Sequence, residues 1–201
     1  MLDNKKFTLI LASASPRRRE LIGLLGISDF KVCPADSEVD YPSGMEPCEA
    51  VKYIALNKAQ HVKNKGISVI GNSPAVILAA DTVVCLDGDI LGKPSDKDDA
   101  RRMLRALSGE KHTVYTGIAL ACGDTLLTDY AATDVWFRGL TDEEIDAYIK
   151  SGEPMDKAGA YGAQGLASLF VARIDGEYFN VVGLPLCTLG RMFTRLGFPL
   201  I

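Results

Sequence analysis

The stretch VILAADTVVCLDGDIL, residues 76–91, decides the class of fold. Through Leu86 it is an apolar strand in which only Asp81 and Thr82 are polar. Asp87-Gly88 is a preferred two-residue hairpin corner, and DIL is the returning strand. Gly123-Asp124 marks a second hairpin, between TVYTGIALAC and TLLTDYAATDVWF, and Asp175-Gly176 a third, between SLFVARI and EYFNVV. Elsewhere strand-like runs alternate with amphipathic helical patterns. The expectation is an α/β chain with a mixed sheet, not an all-parallel one.

The helices carry their own punctuation. Ser95 with Asp98 reads as a capping box for a helix with Ala100, Met103, Leu104 and Leu107 on one face, stopped by Gly109. Thr141 with Glu144 opens another, carrying Ile145, Tyr148 and Ile149, and Gly152 and Pro154 end it. Pro185 suits the first turn of a C-terminal helix.

Composition narrows the function. The chain has 201 residues, 47% hydrophobic and 24% charged, the balance of a globular protein with no linker or repeat, so a single domain over 1–201 is expected. With 22 Lys and Arg against 26 Asp and Glu, the net charge of −4 offers a nucleic-acid duplex no general attraction. No apolar run is long enough for a bilayer, and MLDNKKFTLI lacks the features of a signal peptide, so a cytosolic location is expected with no membrane partner. The 5 cysteines form no CxxC pair and read as reduced core residues, and the 2 histidines exclude an HExxH metal site.

Four places depart from structural economy. In LILASASPRRRELIGLLG, residues 9–26, a strand leads into a helix with Ser15 as N-cap, Pro16 in its first turn and Gly26 as its stop. Arg17, Arg18 and Arg19 crowd that first turn, where the helix dipole disfavours cations. A bound polyanion would reverse the sign, and the alternative is three solvated arginines. Asp81 is a carboxylate among apolar neighbours, hence paired, protonated, metal-bound or merely capping a turn. Lys58 falls within the apolar stripe of a helix over 47–65, either snorkelling to an edge or aimed into an anion-binding cleft. Lys93 follows a hairpin strand in GDILGKP, and DKAGAYGAQGLASL places Gly159, Gly162 and Gly165 around Gln164. That glycine density implies close backbone approach or a flexible connection, and the Gln164 amide offers the donor and acceptor that a uracil or thymine edge requires.

LASASPRRRE, AADTVV, GKP, SGEPMDKAGAYGAQG and NVVGLPL, in this order between Leu9 and Leu196, are similar to the Maf-like nucleotide pyrophosphatases. The resemblance implies hydrolysis of nucleoside triphosphates to monophosphate and pyrophosphate, with Mg2+ or Mn2+, in a commonly homodimeric protein concerned with the nucleotide pool. It implies a mixed-sheet fold related to the inosine triphosphate pyrophosphatases, with two lobes around a central cleft. Asp81, Lys58 and Lys93 match the catalytic residues, and Asp81 and Glu38 the metal ligands, with Asp36 and Asp40 competing for the place of Glu38. Ser13, Ser15, Arg17, Arg18, Thr82 and Gln164 match substrate-binding positions. Arg17, Thr82 and Gln164 resemble the branch acting on thymidine and uridine triphosphates, while Ala80 stands where Gly is usual. The alternative is a regulatory module that binds nucleotide without turning it over.

Overall fold

The structure, a computed structural model, describes residues 7–35, 40–66, 69–70 and 73–201. Its strands are β1 (Thr8–Leu11), β2 (Phe30–Val32), β3 (Val69–Ile70), β4 (Ser73–Leu86), β5 (Asp89–Leu91), β6 (Lys111–Cys122), β7 (Thr125–Phe137) and β8 (Val171–Asp175). The helices are α1 (Pro16–Leu24), α2 (Pro47–Lys63), α3 (Lys97–Leu107), α4 (Asp142–Lys150), α5 (Tyr178–Val182) and α6 (Leu186–Arg195). Short 3-10 turns occupy Glu153–Asp156, Ala158–Ala160 and Leu166–Leu169.

The sheet runs β2-β1-β4-β6-β7-β8, with β3 and β5 also paired to β4. β1 is parallel to β2 and β4, whereas β4, β6, β7 and β8 are successively antiparallel, which is the mixed sheet expected. Asp87 and Gly88 turn the β4-β5 hairpin at φ 51° and 91°. Gly123 at φ 53° begins the turn from β6 to β7, and Cys122 faces Thr125 across it.

Side-chain alternation along β4 explains the layers. Val76, Leu78 and Ala80 pack with Leu21 and Ile22 of α1 and Met192 and Phe193 of α6. Ala75, Ile77 and Ala79, on the opposite face, pack with Ala55, Ala59 and Val62 of α2. Small residues there admit the helix closely, and Gly117 of β6 is the extreme case. A Cβ on it would stand 2.3 Å from the Val51 carbonyl carbon. Farther along the α1/α6 face, Val84 and Val114 belong to a separate core with Leu104 and Leu107 of α3 and Ile145 and Ile149 of α4. Two cores on one face make the two lobes.

Five local expectations need correction. Asp175-Gly176 does not turn a hairpin, because Tyr178–Val182 is helical and Gly176, at φ 131°, carries the chain out of β8. An apolar run as short as EYFNVV has no period that separates helix from strand. The cap of α3 is Asp96, whose side chain accepts from the Asp99 N–H, rather than Ser95 with Asp98; Asp99 in turn accepts from the Ser95 N–H at 3.0 Å. α2 ends at Lys63, short of the expected 65. Pro185 is the N-cap of α6, one place before its first turn. Of the cysteines only Cys85 is buried, and Cys187 is exposed. The capping box of Thr141 and Glu144 is present as expected. Among the described residues no helix is long and apolar enough to cross a membrane.

Candidate active site

The site begins as a gap in the edge of β4. β1 covers that edge along Ala75–Leu78 and β5 covers it along Val84–Leu86, leaving residues 79–83 between them. After the Ala12 N–H donates to the Leu78 carbonyl at 2.8 Å, the chain departs toward α1. Asp81 and Thr82 lie in the gap and project to opposite faces.

Asp81 shares the face of Ala79 and therefore meets α2. Lys58 follows Ala55 on the inward stripe of that helix, and its Nζ donates to Asp81 Oδ1 at 2.5 Å. The two side chains retain 19% and 20% exposure, so the pair borders the cleft instead of being sealed in the core. The lysine thus ends on a carboxylate at the cleft wall instead of snorkelling to an open edge. The close approach of α2 at Gly117, the residue opposite Asp81 on β6, permits this reach.

Thr82 points to the other face, where the two cores meet. Arg18 Nη2 donates to Thr82 Oγ1 at 3.1 Å, Nη1 to Ser13 Oγ at 3.1 Å and Nε to the Gly183 carbonyl at 2.8 Å. Ser13 Oγ also accepts from the Ser15 N–H at 3.2 Å, so one hydroxyl fixes both the arginine and the entry to α1. Burial lowers the Arg18 pKa from its ordinary value, an effect opposed by the nearby Asp81 carboxylate. Ser15 occupies the N-cap of α1 as expected but makes no side-chain cap bond.

A polar chain continues inward. Thr116 Oγ1 donates to the Asn180 carbonyl at 3.1 Å, which uses its single hydrogen. In the 2.9 Å contact between Thr82 Oγ1 and Thr116 Oγ1, Thr82 is consequently the donor. Asn180 Nδ2 donates to the Val114 carbonyl and to Thr133 Oγ1, both at 2.9 Å. The hydroxyl hydrogen of Thr82 is therefore committed inward. What this residue offers the cleft is oxygen lone-pair density.

All these elements open onto one cleft of about 870 Å³. Its walls include Ser13, Ser15, Arg17, Arg18, Lys58, Asp81, Thr82, Lys93 and Gln164. Every described residue that the resemblance matched to a catalytic or substrate-binding position lines it, whereas Arg19, the third arginine of the α1 first turn, does not. Glu38 and Asp36 lie outside the described residues, whereas Asp40 lines the cleft. The loop after α4 is fastened near Lys93, since the Gly159 N–H donates to the Gly92 carbonyl at 2.9 Å. Gly159 itself is at φ 65°, and a Cβ there would approach Val84 Cγ2 to 2.8 Å. Four cationic side chains and the α1 N-terminus thus surround Asp81, with Asp40 and Asp156 also on the cleft wall. The arrangement can bind a polyanion and present it to a proton acceptor.

Thr116 and Asn180 were not singled out as site residues from the sequence. The signal for Thr116 is a hydroxyl among apolar neighbours in β6, legible only once β6 is in register with β4. Asn180 belongs to NVVGLPL, quoted above without a role for that amide.

Comparison with known proteins places the chain in a family. The profile of the Maf-like protein family matches residues 8–196. A Bacillus anthracis protein named dTTP/UTP pyrophosphatase is 46% identical over 183 residues, spanning 91% of this chain and 92% of its own. One of the same name from Symbiobacterium thermophilum is 45% identical over 192 residues, spanning 96% and 95%. A solved HAM1 protein from Coxiella burnetii superposes with a TM-score of 0.51 at 17% identity, covering 94% of this chain and 99% of that one, a likeness of fold. With the motifs, the profile and these relatives in agreement along nearly its whole length, the chain belongs to the Maf-like protein family.

Proposed function

We propose that this protein hydrolyses dTTP and UTP to the nucleoside monophosphate and pyrophosphate, with the whole chain acting as one domain. The observation that carries the reading is the Lys58–Asp81 pair at the gap in β4, inside a cleft that also receives Arg17, Arg18 and Lys93. The names of the two relatives support the substrate class.

Water attacks the α-phosphorus, the bond from that phosphorus to the α,β-bridging oxygen breaks, and pyrophosphate leaves. Asp81 orients the water and accepts its proton; Lys58 holds the carboxylate in place and adds positive charge beside it. Arg17 and Lys93 face charge on the phosphates, and Arg18 contributes from its fixed position. Gln164 faces the base with one donor and one acceptor.

The donor set fits a divalent cation that arrives with the triphosphate. Among the described residues no three His, Cys, Asp or Glu side chains gather, yet Mg2+ characteristically needs only one or two carboxylates when phosphate oxygens and water complete its shell. Asp81 would hold Mg2+ or Mn2+ there, with Glu38 as second ligand, and the ion would neutralise phosphate charge. A homodimer in the cytosol, the setting of free nucleotides, completes the proposal.

The test is turnover of dTTP and of UTP in oxygen-18-labelled water. Equimolar monophosphate and pyrophosphate, with the label in the monophosphate, are expected. Label in pyrophosphate overturns attack at the α-phosphorus, and release of orthophosphate and nucleoside diphosphate overturns the reaction class.

A further inference from the structure

We propose that Tyr148 and Glu153 are positioning residues for Gln164, holding the turn that presents its amide to the nucleotide base. The proposal rests on the function given above. Neither side chain lines the cleft, so any influence on substrate passes through the turn.

The geometry is a clamp with two points of attachment. Residues Gly162 to Gly165 form a tight turn closed by the Gly165 N–H donating to the Gly162 carbonyl at 3.0 Å, with Gln164 at its third position. Just before the corner, the Gly162 N–H donates to Tyr148 Oη at 3.2 Å. Just after it, the Leu166 N–H donates to Glu153 Oε2 at 3.0 Å. The two acceptors are joined, since Tyr148 Oη donates to Glu153 Oε1 at 3.0 Å. Both ends of the turn are thus tied to one phenol-carboxylate unit.

That unit is itself rigid. Tyr148 is buried on the inward face of α4, and its ring meets Phe170 edge-on with centroids 5.2 Å apart. Glu153 opens the 3-10 turn that follows α4. The carboxylate lies so close under the turn that a Cβ on Gly165 would stand 2.1 Å from Glu153 Oε1. This explains the glycine on the far side of Gln164 as a requirement of contact with Glu153. Gln164, exposed on the cleft side, has its backbone fixed although its own side chain is free to meet a ligand.

Preorganisation of this kind strengthens binding by sparing the ordering of the loop at the moment of contact. Releasing one of the two ties should therefore weaken recognition of the base with little effect on the Lys58–Asp81 pair. Tyr148→Phe is the suitable variant because it keeps the ring packing and removes only the hydroxyl.

The experiment measures binding of the non-hydrolysable uridine α,β-imidotriphosphate by calorimetry in wild type, Tyr148→Phe, Gln164→Ala and the double variant, with amide hydrogen exchange over residues 158–168. Tyr148→Phe is expected to weaken binding roughly five- to thirtyfold, the scale of a lost buried hydrogen bond, and to speed exchange of this segment. In the Gln164→Ala background the same change should have no further effect on affinity. Glu153→Gln, which keeps one acceptor oxygen, should fall between wild type and Tyr148→Phe. Unchanged exchange overturns the clamp; faster exchange with unchanged affinity, or an equal loss in the Gln164→Ala background, overturns its role in positioning Gln164. A wild type that binds the analogue but releases no pyrophosphate from UTP refutes the hydrolase reading separately.

Discussion

Lys58 Nζ stands 2.5 Å from Asp81 Oδ1, across the narrow space between α2 and the uncovered edge of β4. The ammonium holds that carboxylate in one orientation at the cleft wall. Lys58→Met keeps most of the aliphatic stem and removes the charge. Release of pyrophosphate from dTTP should fall by about 10²–10³-fold, the scale of one preorganised electrostatic partner. A steady-state pyrophosphate assay checks this, with kcat expected to carry most of the loss.

The same pair depends on Gly117, which faces Asp81 across the β4-β6 ladder. A Cβ on Gly117 would stand 2.3 Å from both the carbonyl carbon and the carbonyl oxygen of Val51, so Gly117→Ala must displace α2. Overpacking of this kind costs about 1–3 kcal/mol. The melting temperature should drop by about 2–12 °C, and activity should fall because α2 carries Lys58. Gly23→Ala is the control: nothing lies within 4 Å of its Cβ, and in α1 it should leave the melting temperature unchanged or raise it.

Thr116 tests whether the hydroxyl chain behind the cleft matters to the cleft itself. Thr116→Val preserves shape but leaves the Asn180 carbonyl with the Gly183 N–H alone and Thr82 without its acceptor. The expected cost is about 1–3 kcal/mol of stability, with kcat/KM for dTTP reduced about tenfold as Arg18 and Thr82 lose their fixed geometry. Thr116→Ser should restore both. Chemical denaturation and kinetics on the three proteins read the outcome.

Much of this site was legible in the sequence because its members break local rules. Asp81 is a carboxylate in an apolar strand, Lys58 a cation on an apolar stripe, and the arginines of α1 oppose the helix dipole. Long strands and their hairpin corners were legible for the opposite reason, as composition and turn chemistry agree there. Relations across elements were not. That Thr116 faces Thr82, or that Gly117 faces Asp81 under α2, follows from strand register, which no single segment encodes. The helix at Tyr178–Val182 was hidden because a short apolar run satisfies either period, and tertiary contacts through Asn180 decide it.

His112 provides a pH prediction with a definite sign. It is buried beside Phe137, its Nε2 lies 2.8 Å from Tyr161 Oη, and burial lowers its pKa to about 4. Because the folded value is below the unfolded one of about 6.5, the unfolded chain binds the proton more readily. This contribution is complete above pH of about 6.5, declines as pH falls toward about 4, and amounts to about 3 kcal/mol across that window. Urea denaturation of wild type should follow this course, and His112→Gln should flatten it. An equally steep decline in the variant would place the effect elsewhere.

The most direct test of the whole account is Asp81→Asn, assayed for pyrophosphate release from dTTP alongside nucleotide binding. Loss of the proton acceptor should reduce turnover by about 10³-fold or more while dTTP is still bound through Arg17, Arg18 and Lys93. Turnover at the wild-type rate by a folded Asp81→Asn protein would contradict the assignment of this cleft as the place where the triphosphate is cleaved.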